Sequence, residues 1–205
     1  MKKTTNYGHS VIIEKKLWVS FFLALLLLFL SSSSFAQNRW QASGRVGANF
    51  ATKDLGVTEL NTGVGIEGTF AYRFQPHLLV YTGWGWNHFS SKVPVANIEF
   101  EETGYTFGLQ FVHPIKKSKL SYVASVGAIY NHIEMENKEG DIIDDSGHGF
   151  GWQAEAGLSI QLNKRLHLVP VIRYRSLQRD LLIDGTKRAV ELSYVSAGTG
   201  IVWNF

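Results

Sequence analysis

The chain has 205 residues, of which 45% are hydrophobic, 13% aromatic and 18% charged, with 20 glycines, 4 prolines and no cysteine. That length allows one domain or at most two, and this much apolar surface can offset the entropy of ordering, which excludes disorder. Without cysteine there is no disulfide framework, thiolate metal site, cysteine nucleophile or lipid-modified cysteine. The formal charge of +3 comes from the first 36 residues, where Lys2, Lys3, Lys15 and Lys16 stand against Glu14 alone. The rest is balanced, which argues against a nucleic-acid partner.

Residues 1–16 are basic, 17–30 form an apolar run, and 31–36 read Ser-Ser-Ser-Ser-Phe-Ala, with small residues at Ser34 and Ala36. This is the order of a secretory signal peptide. Cleavage is expected after Ala36, leaving a domain of residues 37–205. The apolar run falls short of the ~20 residues a spanning helix needs.

From residue 37 onward the pattern is period-two alternation, the signature of strands with two different faces. In 40–50, Trp40, Ala42, Val46, Ala48 and Phe50 oppose Gln41, Ser43, Arg45, Gly47 and Asn49. In 63–74, Val64, Ile66, Phe70 and Tyr72 oppose Gly65, Glu67, Thr69 and Arg73. In 78–88, Val80, Trp84 and Trp86 oppose Tyr81, Gly83, Gly85 and Asn87. The segments 103–112, 120–132, 149–162, 166–176 and 190–205 alternate in the same way, making eight strands. Connections at 75–77, 113–119 and 163–165 are short, whereas 51–62, 89–102, 133–148 and 177–189 are long and polar. An even number of antiparallel strands, with short turns at one rim and long loops at the other, is the layout of an outer-membrane barrel.

The apolar faces hold the large residues, including Trp84, Phe107, Phe111, Trp152, Ile172 and Trp203. The opposite faces hold glycine, small polar residues and a few charges. Eight strands enclose a bore just wide enough to be filled by side chains. The large apolar set is therefore expected outside, against lipid. Aromatics gather near both strand ends around an aliphatic middle, as at two membrane interfaces. The competing possibility is a secreted lipocalin-like barrel with an apolar cavity. In hydrocarbon the sheet must close to satisfy its edge groups, so the first and last strands are expected to pair.

Counting back from the 163–165 turn sets Glu155 opposite Arg173, and pairing Asn49 with Gly63 sets Arg45 opposite Glu67. Interior charges need partners. A mid-barrel cluster of Arg45, Glu67, Glu155 and Arg173 is expected, with Arg73 and Arg175 nearer the rims. Such a cluster either plugs the lumen or gates a narrow pore.

This all-β pattern resembles the small eight-stranded outer-membrane proteins of the OmpA-barrel, OmpX and OmpW type. It is most similar to the outer membrane protein beta-barrel domain group common in Bacteroidetes. The resemblance covers nearly all of 37–205 and implies an antiparallel up-and-down transmembrane β-barrel in the outer membrane of a Gram-negative cell. The family's terminal assembly signal is matched by Gly200-Ile-Val-Trp203-Asn-Phe205, although Gly198 stands where the family often has a polar residue. The resemblance implies insertion by the barrel assembly machinery and contact with outer-membrane lipid and lipopolysaccharide; with the chain stopping at Phe205, no peptidoglycan-binding domain is expected to follow. It implies a structural or surface-interaction role, with an extracellular ligand reached through the long loops. The alternatives are a narrow porin-like channel and a lipid A-modifying enzyme.

No catalytic, cofactor or metal site is expected. Gly63-Val-Gly65-Ile-Glu-Gly68 spells a dinucleotide fingerprint but lies in an alternating segment with no helix signal after it. His88-Phe-Ser90 and His167 lack a deacylase-like His-x-Ser near the seventh strand's end, where Arg173-Tyr-Arg175-Ser176 stands. Glu134, Glu136, Glu139, Asp141, Asp144 and Asp145 are expected in a solvated loop, and their spacing does not match an EF-hand.

Overall fold

Every regular element of the computed structural model, which describes residues 39–56, 58–92, 98–183 and 186–205, is a β-strand. The expected signal peptide and its cleavage point lie outside those residues. In chain order the strands are β1 (Trp40–Ala51), β2 (Gly63–Gln75), β3 (Leu78–Ser90), β4 (Glu99–Pro114), β5 (Leu120–Glu136), β6 (Ile142–Asp145), β7 (Gly149–Gln161), β8 (Leu166–Ile183) and β9 (Thr186–Asn204).

Eight of them close into an antiparallel up-and-down barrel. Each pairs with its neighbour in sequence, β5 pairs with β7, and β9 returns to β1. Short β6 adds only to the outer end of β5. The seam is finished by Trp40 N–H to the Phe205 carbonyl at 3.2 Å and by the reciprocal bond at 3.0 Å. Closure satisfies backbone groups that would cost several kcal/mol each in hydrocarbon.

The side chains are inverted relative to a soluble barrel. Phe70, Val126 and Ile172 are about 60% exposed on the outer wall, whereas Glu67, Glu155 and Arg173 are buried inside. This distribution excludes the lipocalin-like alternative.

The strands outrun their expected limits. β4 begins at Glu99 rather than at residue 103, β5 continues to Glu136, and β8 and β9 remain paired out to Ile183 and Thr186. Much of what the sequence pattern marks as loop is therefore hairpin. In these outer extensions the alternation changes sense. Phe89, Phe100, Ile133, Met135, Leu177, Leu181, Val190 and Leu192 point inward and are buried with Leu55 and Leu60 from the first long connection. His88, Glu99, Glu101, Glu134 and Glu136 occupy the alternate, outward positions on β3, β4 and β5. Lipid favours the apolar face out and water favours it in, so the change of sense marks where the strands leave the bilayer.

The bore is not polar throughout, as the alternation suggests. Toward the short-turn rim Ala71, Leu79 and Tyr81 form one inward apolar cluster, and Val123, Val169 and Val171 another. The paired charges occupy a belt between these clusters and the outer one, while Arg179 is buried farther out and Gln41 and Ser159 lie toward the short-turn rim. Glycine makes room for the large inward groups: a Cβ at Gly127 would stand 2.4 Å from the Tyr81 hydroxyl and 2.6 Å from the Phe107 carbonyl oxygen.

Candidate functional site

The belt's paired charges come from five strands, β1, β2, β4, β7 and β8. Arg45 faces Glu67 across the β1–β2 ladder, and Glu155 faces Arg173 across β7–β8. Barrel closure carries these two pairs to each other. Arg173 donates to Glu67 Oε2 at 2.7 Å and Oε1 at 3.0 Å, and through Nε to Glu155 Oε2 at 3.0 Å. Arg45 donates to Glu155 and stands 3.8 Å from Glu67. The four residues expected to cluster are thus in contact.

Arg175 departs from expectation. It is not near the rim but is the largest fully buried side chain among the described residues, 1% exposed. Its guanidinium donates to Glu67 Oε2 at 2.9 Å, to both Glu102 oxygens at 3.1 and 3.2 Å, and to Gln153 Oε1 at 2.7 Å. Strands in a barrel tilt, so a position one step farther along one strand meets a mid-strand residue on the opposite wall. Glu102, expected in the 89–102 loop, is fully buried on β4. It also accepts from Asn87 at 2.8 Å, from the Tyr194 hydroxyl at 2.5 Å and from Asn131. Continuing the even-numbered inward face of β4 by one repeat, from Gly104 to Glu102, was the available signal.

Three arginines therefore oppose three glutamates, and uncharged partners supply the remaining hydrogen bonds. Gln153 donates to the Tyr81 hydroxyl at 3.0 Å, and Asn49 donates to Asn87 at 2.9 Å. Complete pairing is what makes buried charge tolerable. A cavity of about 30 Å³ lies beside Arg45, Asn49, Glu67 and Ser196, enough for little more than one water.

Of the terminal triad, Gly200 is buried against Arg45. A Cβ there would meet the Gly44 carbonyl oxygen at 3.0 Å. The Trp203 and Phe205 rings lie 5.4 Å apart, both half-exposed at the closing seam. Gly63, Gly65 and Gly68 lie within β2. His88 lies 3.5 Å from Glu101 and stacks on Trp86. Sequence spacing missed one serine–histidine contact: Ser159 Oγ and His167 Nδ1 are 3.0 Å apart near the short-turn mouth.

Of the six acidic residues expected in a solvated loop, Glu134 and Glu136 stand on β5 and Asp144 and Asp145 on β6, whereas Glu139 and Asp141 are exposed in the turn between those strands. The ladders place His88, Glu101, Glu134 and Asp145 side by side across β3, β4, β5 and β6. His132, Glu134 and Asp145 form one set with ligand atoms within 4.8 Å of one another, and Glu101, Glu134 and Glu136 form another. The all-carboxylate set is of the kind hard cations take, whereas the imidazole in the other suits a transition metal. Burial, followed by repulsion from Glu101, Glu134 and Glu99, raises the Glu136 carboxyl above its ordinary range. Burial also acts upward on Asp145, but the Gly147 N–H and the His132 ring outweigh it and hold that carboxyl low.

The family model for the outer membrane protein beta-barrel domain matches residues 22–205. The chain belongs to this family. As a member of the outer membrane protein beta-barrel domain family it is an outer-membrane protein, and solved structures agree with its fold. Neisserial surface protein A aligns at 12% identity with a TM-score of 0.63, covering 81% of this chain and 97% of that one. OprG of Pseudomonas aeruginosa aligns at 14% identity and 0.52, covering 82% and 98%. The outer membrane protein W of E. coli aligns at 12% and 0.52, covering 83% and 100%. No curated protein matches. At such identities the likeness is one of fold.

Proposed function

We propose that this outer-membrane barrel is a sealed, non-catalytic scaffold that displays its outer hairpins for envelope structure or surface interaction. The observation that carries this reading is the sandwich inside the bore. A charge-balanced belt of Arg45, Arg173, Arg175, Glu67, Glu102 and Glu155 lies between apolar clusters at both ends. An ion crossing it would have to break paired charges and pass apolar side chains on either side, the kind of lining that closes pores by dewetting. The reach of β8 and β9 beyond the bilayer, and the polar outer face of that extension, suit contact with lipopolysaccharide or an extracellular ligand. Insertion by the barrel assembly machinery would act through the Gly200, Trp203 and Phe205 strand, the last to close the seam.

Planar-bilayer recording tests the seal. Purified protein is expected to give no discrete openings. Stepwise conductance altered by Glu155→Gln would establish the narrow-channel reading instead.

A further inference from the structure

Charge is distributed very unevenly along the barrel axis. Between Glu67 and Glu99, between Glu102 and Glu134, between Glu155 and Asp180, and after Glu191, the sequence contains no aspartate or glutamate. Those are the stretches that build the short-turn half. The same half exposes Arg39, Lys116, Lys117, Lys119, Lys164 and Arg165. None of the six forms a salt bridge among the described residues. At the long-loop end, by contrast, Lys53 pairs with Glu191 at 2.9 Å and Lys92 with Glu59 at 3.3 Å, and the exposed Lys138, Lys187 and Arg188 share that end with most of the aspartates and glutamates.

Backbone bonds place the six cations along one continuous arc. The Lys119 carbonyl accepts from Gln161 N–H at 2.8 Å, joining the β4–β5 turn to the β7–β8 turn. The Arg165 carbonyl accepts from Asn204 N–H at 2.8 Å, and Arg73 N–H donates to the Arg39 carbonyl at 2.7 Å. The Trp40–Phe205 seam bridges the remaining gap. Beside this arc lies the aromatic belt of Trp40, Tyr72, Phe111, Tyr122, Trp203 and Phe205. Trp40 packs on Tyr72 with ring centres 4.8 Å apart. Such belts settle at headgroup depth, so the cations just beyond the rings, from Arg39 next to Trp40 to Lys116 and Lys117 five residues from Phe111 and Tyr122, stand at or just past the level of lipid phosphates.

We propose that the short-turn rim is a collar for anionic phospholipid headgroups of the leaflet that surrounds it. The arrangement favours lipid over a soluble acidic partner. The cations are spread along the circumference beside lipid-facing residues, whereas a compact partner would be met by a patch on the end face. Basic side chains held near an anionic headgroup layer attract it over about a Debye length.

The test is electron paramagnetic resonance of the barrel in phosphatidylcholine vesicles doped with spin-labelled phosphatidylglycerol or spin-labelled phosphatidylcholine. It measures which label the protein immobilises. At low salt the anionic label is expected to be preferred about threefold, and the preference to approach unity at about 1 M salt. Neutralising the arc with Arg39→Gln, Lys116→Gln, Lys117→Gln, Lys119→Gln, Lys164→Gln and Arg165→Gln should abolish it. Lys53→Gln with Lys92→Gln, at the other rim, should not. The proposal fails if wild-type protein immobilises both labels equally at low salt, or if the preference survives either high salt or the neutralised arc. Sedimentation with purified peptidoglycan, lost in the neutralised variant while lipid preference is absent, would assign the rim to the cell wall and overturn the proposal equally.

Discussion

Replacing Arg175 by methionine is the sharpest probe of the belt. Methionine keeps much of the length and bulk of the side chain, so the loss is electrostatic. The guanidinium is 1% exposed and makes hydrogen bonds to Glu67, Glu102 and Gln153. Glu67 retains Arg173 as a partner. Glu102, fully buried, loses its only salt bridge among the described residues and keeps Asn87, Asn131 and Tyr194. Breaking a buried pair by removing one member costs about 3–5 kcal/mol, because the survivor remains charged and desolvated. Urea unfolding in phosphatidylcholine vesicles, followed by tryptophan fluorescence, measures the loss. Arg175→Lys keeps the charge but not the two-pronged geometry, so its loss should be smaller. Combining Arg175→Met with Glu102→Gln should recover more than about 1 kcal/mol relative to the sum of the single effects. A loss below about 1 kcal/mol for Arg175→Met, or strict additivity in the pair, would refute the argument that Glu102 depends on Arg175.

Two further outcomes follow from the packing and from the outer acidic ladder. Gly127→Ala forces a methyl group against the Tyr81 hydroxyl and the Phe107 carbonyl, and should lower unfolding stability by about 1–3 kcal/mol in the same assay. Glu136 has a folded pKa above its ordinary value because of burial and the neighbouring carboxylates. The stabilisation from its protonated form is complete below the unfolded value of about 4.3 and is lost as pH rises through the folded value. Glu136→Gln should therefore stabilise the barrel near neutral pH and give no gain near pH 4. The gain should be only a few tenths of a kcal/mol, since the group is largely solvated. Unfolding at both pH values checks the sign, and a gain that is larger in acid would contradict it.

The belt marks where sequence pattern reaches and where it stops. Arg45 opposite Glu67 and Glu155 opposite Arg173 can be counted from their own hairpins, because antiparallel register propagates from the turn. Glu102 and Arg175 cannot be obtained that way. They lie on β4 and β8, which do not pair, and only the tilt and closure of the barrel bring them together. The outer hairpins were missed for a different reason. Polarity reads as a loop signal, whereas Leu177, Leu181, Val190 and Leu192 lie on the inward face, as in a strand in water.

By itself the sequence determined that eight alternating segments present a greasy face and a wettable one, with short turns at one rim. Period two and side-chain size are local properties, and they suffice to choose a barrel turned outward to lipid. Only the tertiary structure decided what fills its axis. Side chains far apart in the chain converge there, and their depth depends on strand tilt, which local pattern does not record. That is why the bore proved to be a neutral belt of three arginines and three glutamates held between apolar ends, and not a uniformly polar channel.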